Sequence, residues 1–540
     1  MQPSGQHGAR PGSATCPKTA SLAPPRFDNP AMPSFDSDAA YLAIKARDAR
    51  FDGQWFVGVT STGIYCRPIC RVRTPRRENC VFFDTPAQAE AARFRPCMKC
   101  RPEVAPGPGL AWTVMDASRT LARQAAHWLD HAAAEEETPS IAALAAHLGV
   151  SDRHLRRIFA AEHGVTPLQY VQTRRLLLAK QLLTDTRLPV AQVALASGFR
   201  SLRRFNAAFA DSYRMSPTRL RGDADGRSEP LSPDDGVTVS LGFRSPYDTA
   251  AMLRFLSARA VPGVEAVEAA RVRRSVRAGV LGPEAGWLEA SFVDETPTRP
   301  ASLRLRYAAT LAPHSGRVVM AVRRWLDLDA APQTIDDALR DLPGAPGLRL
   351  PGSIDAFEMA VRAVLGQQIT VAAARTLGSR LVEAFGEPIA TPIDGLDRLF
   401  PTPAALAAAS GDALGQLGIV RQRQGALQAI AREVAAGKLA LHAGADVPST
   451  IDALQELPGI GAWTAQYIAM RALRWPDAFP AGDVALQKAL GVSTARAASE
   501  ASQAWRPWRS YAVLRAWHAP SQAAAAEPSS NNLATAGATA

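Results

Sequence analysis

The chain has 540 residues, 47% hydrophobic and 21% charged, with six cysteines and no apolar run of the roughly 18 residues that a membrane helix needs. That balance excludes an integral helical membrane protein and a disulfide scaffold, and its length suggests about three to four domains rather than one. Lysine and arginine number 61 against 50 aspartate and glutamate, a net charge of +11, which favours a polyanionic partner through counterion release.

In chain order, residues 1–36 are rich in Pro, Ser and Gly without periodicity and are expected to be a disordered leader. They lack an apolar core before a small-residue cleavage site, so no secretory signal is read and a cytoplasmic, nucleoid-associated protein with no membrane partner is expected. Over 37–112, clusters such as Trp55-Phe56-Val57 and Val81-Phe82-Phe83 alternate with Gly- and Arg-rich turns, predicting a small α+β unit that needs a staple. Residues 113–221 change to helical periodicity, with Ile141, Leu144, Ala145 and Leu148 on one face, and predict an all-α unit. The stretch 222–236 concentrates Gly, Pro and Asp and reads as a linker. Alternation at Val237, Val239, Leu241 and Phe243 and again at Leu303–Tyr307, around a helical Tyr247–Ala260, predicts an α+β domain over 237–327. Ala/Leu-rich segments punctuated by Pro and Gly make 328–518 a mostly helical domain, and 519–540 is read as a disordered tail.

The cysteines carry the first chemistry. Cys66 and Cys70 form a C-x3-C pair and Cys97 and Cys100 a C-x2-C pair, a set able to converge tetrahedrally on one ion, with Zn2+ the default for four thiolates. A purely structural staple is one reading. The crowd of arginines around the pairs, Arg67, Arg71, Arg73, Arg76, Arg77, Arg95 and Arg101, favours contact with phosphate as well. The segments Thr62–Cys70, Arg77–Asn79 and Phe94–Pro102 resemble the zinc domain of the Ada adaptive-response family over about 41–102. The resemblance implies that Cys66, Cys70, Cys97 and Cys100 bind one Zn2+ and that Cys66 irreversibly accepts methyl from a DNA methylphosphotriester. Physics supports such a switch: four thiolates on Zn2+ carry a net charge of minus two, and turning one into a thioether halves it, weakening repulsion from DNA. Cys16 and Cys80 have no role legible here, and Cys80 is expected to be a buried core thiol.

Two helix-turn-helix signals follow. Ile141–Phe159 holds an apolar helix, a Gly149 turn, a Ser151 cap and a second helix exposing Arg153, Arg156 and Arg157. The pattern recurs at Val190–Phe199 and Ser201–Asn206, with Arg203 and Arg204 on the second helix. Alone, either is an ordinary helical hairpin with a basic face; the tandem resembles the AraC-type DNA-binding domain over about 138–221, implying insertion into the major groove. Arg214 stands where the second repeat of that family has Gly, so an altered helix C-cap is expected there.

The last motif is Leu457-Pro-Gly-Ile-Gly461, a tight hairpin leading into a helix at Ala462–Tyr467, with Asp483 22 residues beyond Gly461. Unpaired N–H groups at such a helix start, approachable because Gly459 and Gly461 lack side chains, suit a DNA phosphate. Together with Pro246–Asp248, Phe255–Ala260, Gly347–Gly352, Leu365–Gln367 and Trp505–Tyr511, this resembles the helix-hairpin-helix DNA glycosylase superfamily, and within it AlkA, 3-methyladenine DNA glycosylase II, over about 237–518. The resemblance implies that Asp483 is the catalytic carboxylate and that Phe255, Trp463, Tyr467 and Trp517 line the base pocket. It also implies that Gln367 and Gln368 face DNA, with Gln368 filling the gap left by the extruded base where the family carries an apolar wedge. Carbonyls of Gln455, Leu457 and Ile460 are its candidates to hold Na+ or K+. Relatives that cut the strand place Lys where Trp463 stands, so a monofunctional enzyme is expected; with no cysteine after Cys100, no iron–sulfur cluster is expected.

The sequence therefore predicts a multidomain chain: a small α+β zinc domain, an all-α tandem helix-turn-helix domain, an α+β domain and a mostly α-helical helix-hairpin-helix glycosylase domain. The expected partners are double-stranded DNA, both alkylated and promoter, and RNA polymerase if the chain is an activator. The alternatives are a regulator whose glycosylase-like half only binds DNA, and a glycosylase tethered to DNA by a structural zinc unit.

Overall fold

A computed structural model describes residues 36–107, 117–132, 140–222, 236–297, 299–442 and 445–526. The expected leader, save Asp36, and the linker core 223–235 lie outside the described residues, as does Cys16.

The first unit opens with helix α1 (Ser37–Ala46), capped by the Asp36 carboxylate. Strands β1 (Phe56–Val59), β2 (Ile64–Cys66), β3 (Cys80–Phe83) and β4 (Arg95–Pro96), with helix α2 (Pro86–Ala91) before the last, form a four-stranded sheet in the order β3-β1-β2-β4. The two aromatic clusters pair across it, Phe56 opposite Phe83 and Val57 opposite Phe82. Cys80 is buried there and donates its S–H to the Arg76 carbonyl at 3.3 Å.

Helices α3 (Ala117–Ala132), α4 (Ile141–His147), α5 (Asp152–His163), α6 (Pro167–Asp185), α7 (Val190–Ala196), α8 (Leu202–Tyr213) and α9 (Pro217–Gly222) make the tandem helix-turn-helix unit. Ser151 and Ser201 cap α5 and α8, and Gly149 and Gly198 turn at φ +68° and +83°. The altered cap expected at Arg214 is not found. Arg214 itself adopts the left-handed conformation, φ 58°, and its N–H bonds the Ala210 carbonyl as a glycine's would, so the side chain is accommodated at some backbone strain.

Strands β5 (Val237–Gly242), β6 (Glu265–Glu268), β7 (Arg271–Val276), β8 (Gly286–Val293) and β9 (Ser302–Tyr307) form an antiparallel sheet in the order β5-β9-β8-β7-β6, flanked by α10 (Thr249–Arg259) and α11 (Ser315–Trp325). A helical array follows: α12 (Pro332–Ala338), α13 (Ala356–Leu365), α14 (Val371–Phe385), α15 (Pro403–Ala408), α16 (Gly411–Gln416), α17 (Arg421–Ala435), α18 (Val447–Gln455), α19 (Ala462–Arg471), α20 (Val484–Ala489), α21 (Ala495–Ala501) and α22 (Arg509–Ala526). Helix α22 continues past 518, the residue after which a tail was expected. One apolar core runs from α6–α9 through the five-stranded sheet into this array.

The zinc-bearing unit is seated on α6. Lys180, 1% exposed, donates to Glu103 at 2.5 Å, Arg101 pairs with Asp185 at 2.6 Å, and Glu90 accepts from Tyr65 and Thr173, each at 3.1 Å. Burial at this seam pushes the Glu90 carboxyl up to about 8, against those two hydrogen bonds and the Lys180 charge. Its folded value lies above the ordinary 4.5, so the stability that this proton carries is complete below about pH 4.5 and is lost as pH rises through about 8. Glu90→Gln should therefore flatten thermal stability between pH 5 and 8 and raise it at pH 8 by on the order of 1–3 kcal/mol; a variant melting with the wild-type pH slope would contradict this.

Candidate functional site

Asp483 stands at the N-cap of α20, where its Oδ1 accepts from the Leu486 N–H at 2.8 Å. A carboxylate is favoured there by the unpaired N–H groups of the helix start. Two indoles then converge on it: Trp463 Nε1–H donates to Oδ2 at 3.0 Å and Trp517 Nε1–H to Oδ1 at 3.1 Å. Three fixed donors hold the carboxylate as an oriented negative charge.

The aromatic rings form one partly exposed cluster. Trp463 and Tyr467, one helical turn apart on α19, are parallel within 5° at 5.3 Å, and Trp517 tilts against Tyr467 at 6.2 Å. Phe255, on α10, is 5% exposed, with the guanidinium groups of Arg259 and Arg471 at 3.8 and 4.7 Å from its ring centroid. Arg471 was not singled out in the sequence, though its place four residues after Tyr467 on one helix was a legible signal. Fully inside, it donates to Tyr467 Oη at 2.8 Å and to the Pro351 carbonyl at 2.5 Å. Burial opposes ionisation of Tyr467, but the cations Arg471, Arg259 and Arg362 outweigh it and hold the phenol below its ordinary value.

The hairpin between α18 and α19 turns at Gly459, φ +79°, where a Cβ would sit 3.1 Å from the Ala426 Cβ. Gly461 is the N-cap of α19, with no side-chain cap and open space where a Cβ would be, so backbone N–H groups there are accessible to an anion. The carbonyl of Leu457, one of the candidate cation ligands with Gln455 and Ile460, accepts the Ile460 N–H at 3.2 Å. Gln367 does not face outward. Its amide donates to the Gly459 carbonyl and to Thr464 Oγ1, both at 2.9 Å, and Arg423 donates to its own carbonyl at 2.5 Å. That clamp leaves the neighbouring Gln368 exposed in a left-handed conformation, φ 52°.

The four sulfurs of Cys66, Cys70, Cys97 and Cys100 lie within 4.8 Å of one another. Such a set fits Zn2+: all four ligands are thiols, and the end of β2, the turn that follows it and the turn after β4 deliver them to one point. Cys66 and Cys97 are buried, Cys70 and Cys100 half-buried. Among the flanking arginines, Arg71 and Arg73 are exposed, but Arg67 is not available to phosphate. It is 4% exposed and forms a two-pronged pair with Asp52, Nε to Oδ1 at 2.7 Å, while Nη1 donates to the Cys100 carbonyl at 3.1 Å. A guanidinium beside a thiolate cluster is more useful matched than solvated, and Asp52 was legible only in three dimensions. On α5 and α8, Arg153, Arg156, Arg157, Arg203 and Arg204 are all exposed; Arg156 pairs with Asp152 at 2.8 Å and Arg157 meets the His154 ring at 3.1 Å.

A four-thiol centre, paired helix-turn-helix units and a Gly-rich hairpin beside a carboxylate define a DNA-binding repair and regulatory protein of several domains. Family models agree: "Metal binding domain of Ada" over residues 39–103, "Helix-turn-helix domain" over 144–223, "AlkA N-terminal domain" over 238–355 and "HhH-GPD superfamily base excision DNA repair protein" over 361–504. The chain is 37% identical over 494 residues to the probable bifunctional transcriptional activator/DNA repair enzyme AlkA of Mycobacterium tuberculosis, covering 89% of this chain and 96% of that one. It is 36% identical over 283 residues to DNA-3-methyladenine glycosylase 2 of Escherichia coli, 52% of this chain and 96% of that one. Over 144 residues it is 39% identical to the bifunctional transcriptional activator/DNA repair enzyme Ada of Escherichia coli, 26% of this chain and 36% of that one. The chain belongs to the family of bifunctional AlkA proteins, in which an Ada zinc domain and a helix-turn-helix unit precede a helix-hairpin-helix DNA glycosylase domain. No helix among the described residues is long and apolar enough to cross a membrane.

Two substitutions test the site. Asp483→Asn keeps a good N-cap and should leave folding and DNA binding intact while lowering base release about 100-fold or more; a variant with wild-type turnover would exclude the carboxylate from the chemistry. Arg471→Met removes the cation behind Tyr467, so the phenol should titrate at higher pH in ultraviolet absorbance and KM should rise about tenfold with a smaller change in kcat. A Tyr467 titration that does not move would show that Arg471 leaves the ring untouched.

Proposed function

We propose that this protein senses methylphosphotriesters through its zinc domain, regulates transcription through its helix-turn-helix unit, and excises alkylated bases such as 3-methyladenine as a monofunctional DNA glycosylase. The observation that carries the enzymatic reading is the Asp483 carboxylate held by Trp463, Trp517 and the α20 N-terminus beside partly exposed aromatic rings.

An alkylated purine bears positive charge, is drawn to electron-rich aromatic faces and needs little protonation to leave. The lesion must first leave the duplex, at a cost of a few kcal/mol that is smaller for a damaged base. Gln368, exposed and held by the Gln367 clamp, fills the vacated space; Gly459 and Gly461 bring main-chain N–H groups to the phosphates. As the bond from C1′ to the base nitrogen breaks, its electron pair departs with the base and neutralises it. The sugar becomes an oxocarbenium ion, which the fixed charge of Asp483 stabilises until water adds to C1′ and releases a proton. The hydrogen bonds on both carboxylate oxygens suit Asp483 to electrostatic stabilisation more than to proton abstraction. The carbonyls of Gln455, Leu457 and Ile460 would hold a monovalent cation, whose charge would strengthen the hairpin's grip on phosphate.

In the zinc domain, the Cys66 sulfur attacks the methyl carbon of a phosphotriester. The S–C bond forms, the C–O bond breaks and the phosphodiester leaves as the anion. Bound zinc keeps the thiols deprotonated. Arg71 and Arg73 receive the phosphate, and the loss of one negative charge at sulfur raises DNA affinity. Arg153, Arg156, Arg157, Arg203 and Arg204 then dock promoter DNA, with RNA polymerase the partner if the chain activates.

Incubation with DNA carrying labelled methyl groups tests both halves at once. Free 3-methyladenine should be released, and the protein-bound label should map to the peptide containing Cys66. Label on Cys70, Cys97 or Cys100 would reassign the acceptor, and DNA binding without liberated base would reduce the C-terminal half to a binding platform.

A further inference from the structure

The zinc domain touches more than the helix-turn-helix unit. Arg244, just beyond β5, is 1% exposed and binds main-chain carbonyls from two units at once: Nε to Asp52 at 2.8 Å, Nη2 to Gly107, and Nη1 to Asp329 at 2.7 Å and Ala330 at 3.3 Å. Around it the two surfaces are in close contact. A Cβ on Gly242 would lie 2.3 Å from the Val104 carbonyl oxygen, and the Asp329 carboxylate accepts the Gly107 N–H at 2.6 Å. Arg323, ion-paired with Asp329, reaches the Ala105 carbonyl at 3.4 Å.

Asp52 is the common partner of both halves. Its carboxylate holds Arg67, whose own N–H points at Cys100 Sγ, 3.3 Å away, while its carbonyl holds Arg244. On the far side the contacts continue. Arg349 donates to the carbonyls of Arg244 and, at 3.3 Å, Asp327; the Asp327 carboxylate holds Arg474 and accepts from Tyr511 Oη at 2.8 Å. Arg474 follows α19, which carries Trp463 and Tyr467, and Tyr511 sits on α22, which carries Trp517.

We propose that this surface is a built docking interface for the zinc domain on the glycosylase half, and that the state of the four-cysteine centre is transmitted across it through Arg67, Asp52 and Arg244. The physical reason is that a buried guanidinium keeps its charge and loses heavily if its acceptors move away. Loosening Cys100 and Arg67 displaces Asp52, which strips Arg244 of an acceptor that no water can replace at 1% exposure. The two halves then rise and fall in stability together. The proposal needs only the four-thiol zinc centre and is independent of the role given to Asp483.

Peptide-resolved hydrogen exchange on the full chain, zinc-loaded and chelator-stripped, tests it. Stripping should raise exchange within 37–107 and also, by about tenfold, across 238–247 and 323–330. In Arg244→Lys, which keeps the charge but not the multiple acceptors, and in Asp52→Asn, which breaks the Arg67 pair but keeps the carbonyl, the rise should be confined to 37–107. Exchange across 238–247 and 323–330 that ignores zinc in the wild-type chain overturns the proposal, as does a wild-type-sized rise in both variants.

Discussion

A buried guanidinium keeps its charge at physiological pH, so it is stable only where oxygens are held within reach of its N–H groups. This protein buries many of them. Arg67, Arg244, Arg274, Arg323, Arg349, Arg471, Arg509 and Arg515 are all less than a tenth exposed, and their acceptors are main-chain carbonyls, carboxylates and, for Arg471, the Tyr467 hydroxyl, most of them distant in the chain. Apolar contact alone tolerates sliding; a fork of directed hydrogen bonds does not. The zinc domain has apolar clusters of its own, separate from the core that sheet and helical array share, so its placement on the sheet rests on these directed contacts.

The same rule shapes the candidate active site. Arg471 fixes Tyr467 from behind, Gln367 fixes the hairpin against the loop that presents Gln368, and two indoles fix Asp483. Asp483, Tyr467 and the loop carrying Gln368 are thus each held by a neighbouring side chain. A carboxylate preorganised in this way needs no rearrangement to face a developing positive charge.

Local chemistry was well represented in the chain's own order. Strand alternation at Val237–Phe243, serine caps at Ser151 and Ser201, and glycine turns at Gly149 and Gly459 express interactions within a few residues, and the two thiol pairs are each set by a short spacing, which is why they are readable in one dimension. Arg214 marks the edge of that logic: the cap geometry persists without glycine, because the Ala210 carbonyl still needs a partner and the backbone yields to supply one. Arginine was the least legible residue. The excess of 11 positive charges suggested a surface for DNA, yet many arginines are interior struts, and Arg67 beside the cysteines is one of them.

By itself, then, the sequence determined the four units, the thiol centre, the tandem recognition helices and the hairpin with its carboxylate, since each depends on residues close in the chain or on a distinctive spacing. Only the tertiary structure decided that Asp52 is shared between Arg67 and Arg244, that Phe255 meets Arg259 and Arg471, and that Gln367 is a clamp while Gln368 is presented. Those assignments depend on which oxygens lie within about 3 Å of a given N–H after folding, and that distance is a property of packing, with no counterpart in the order of residues.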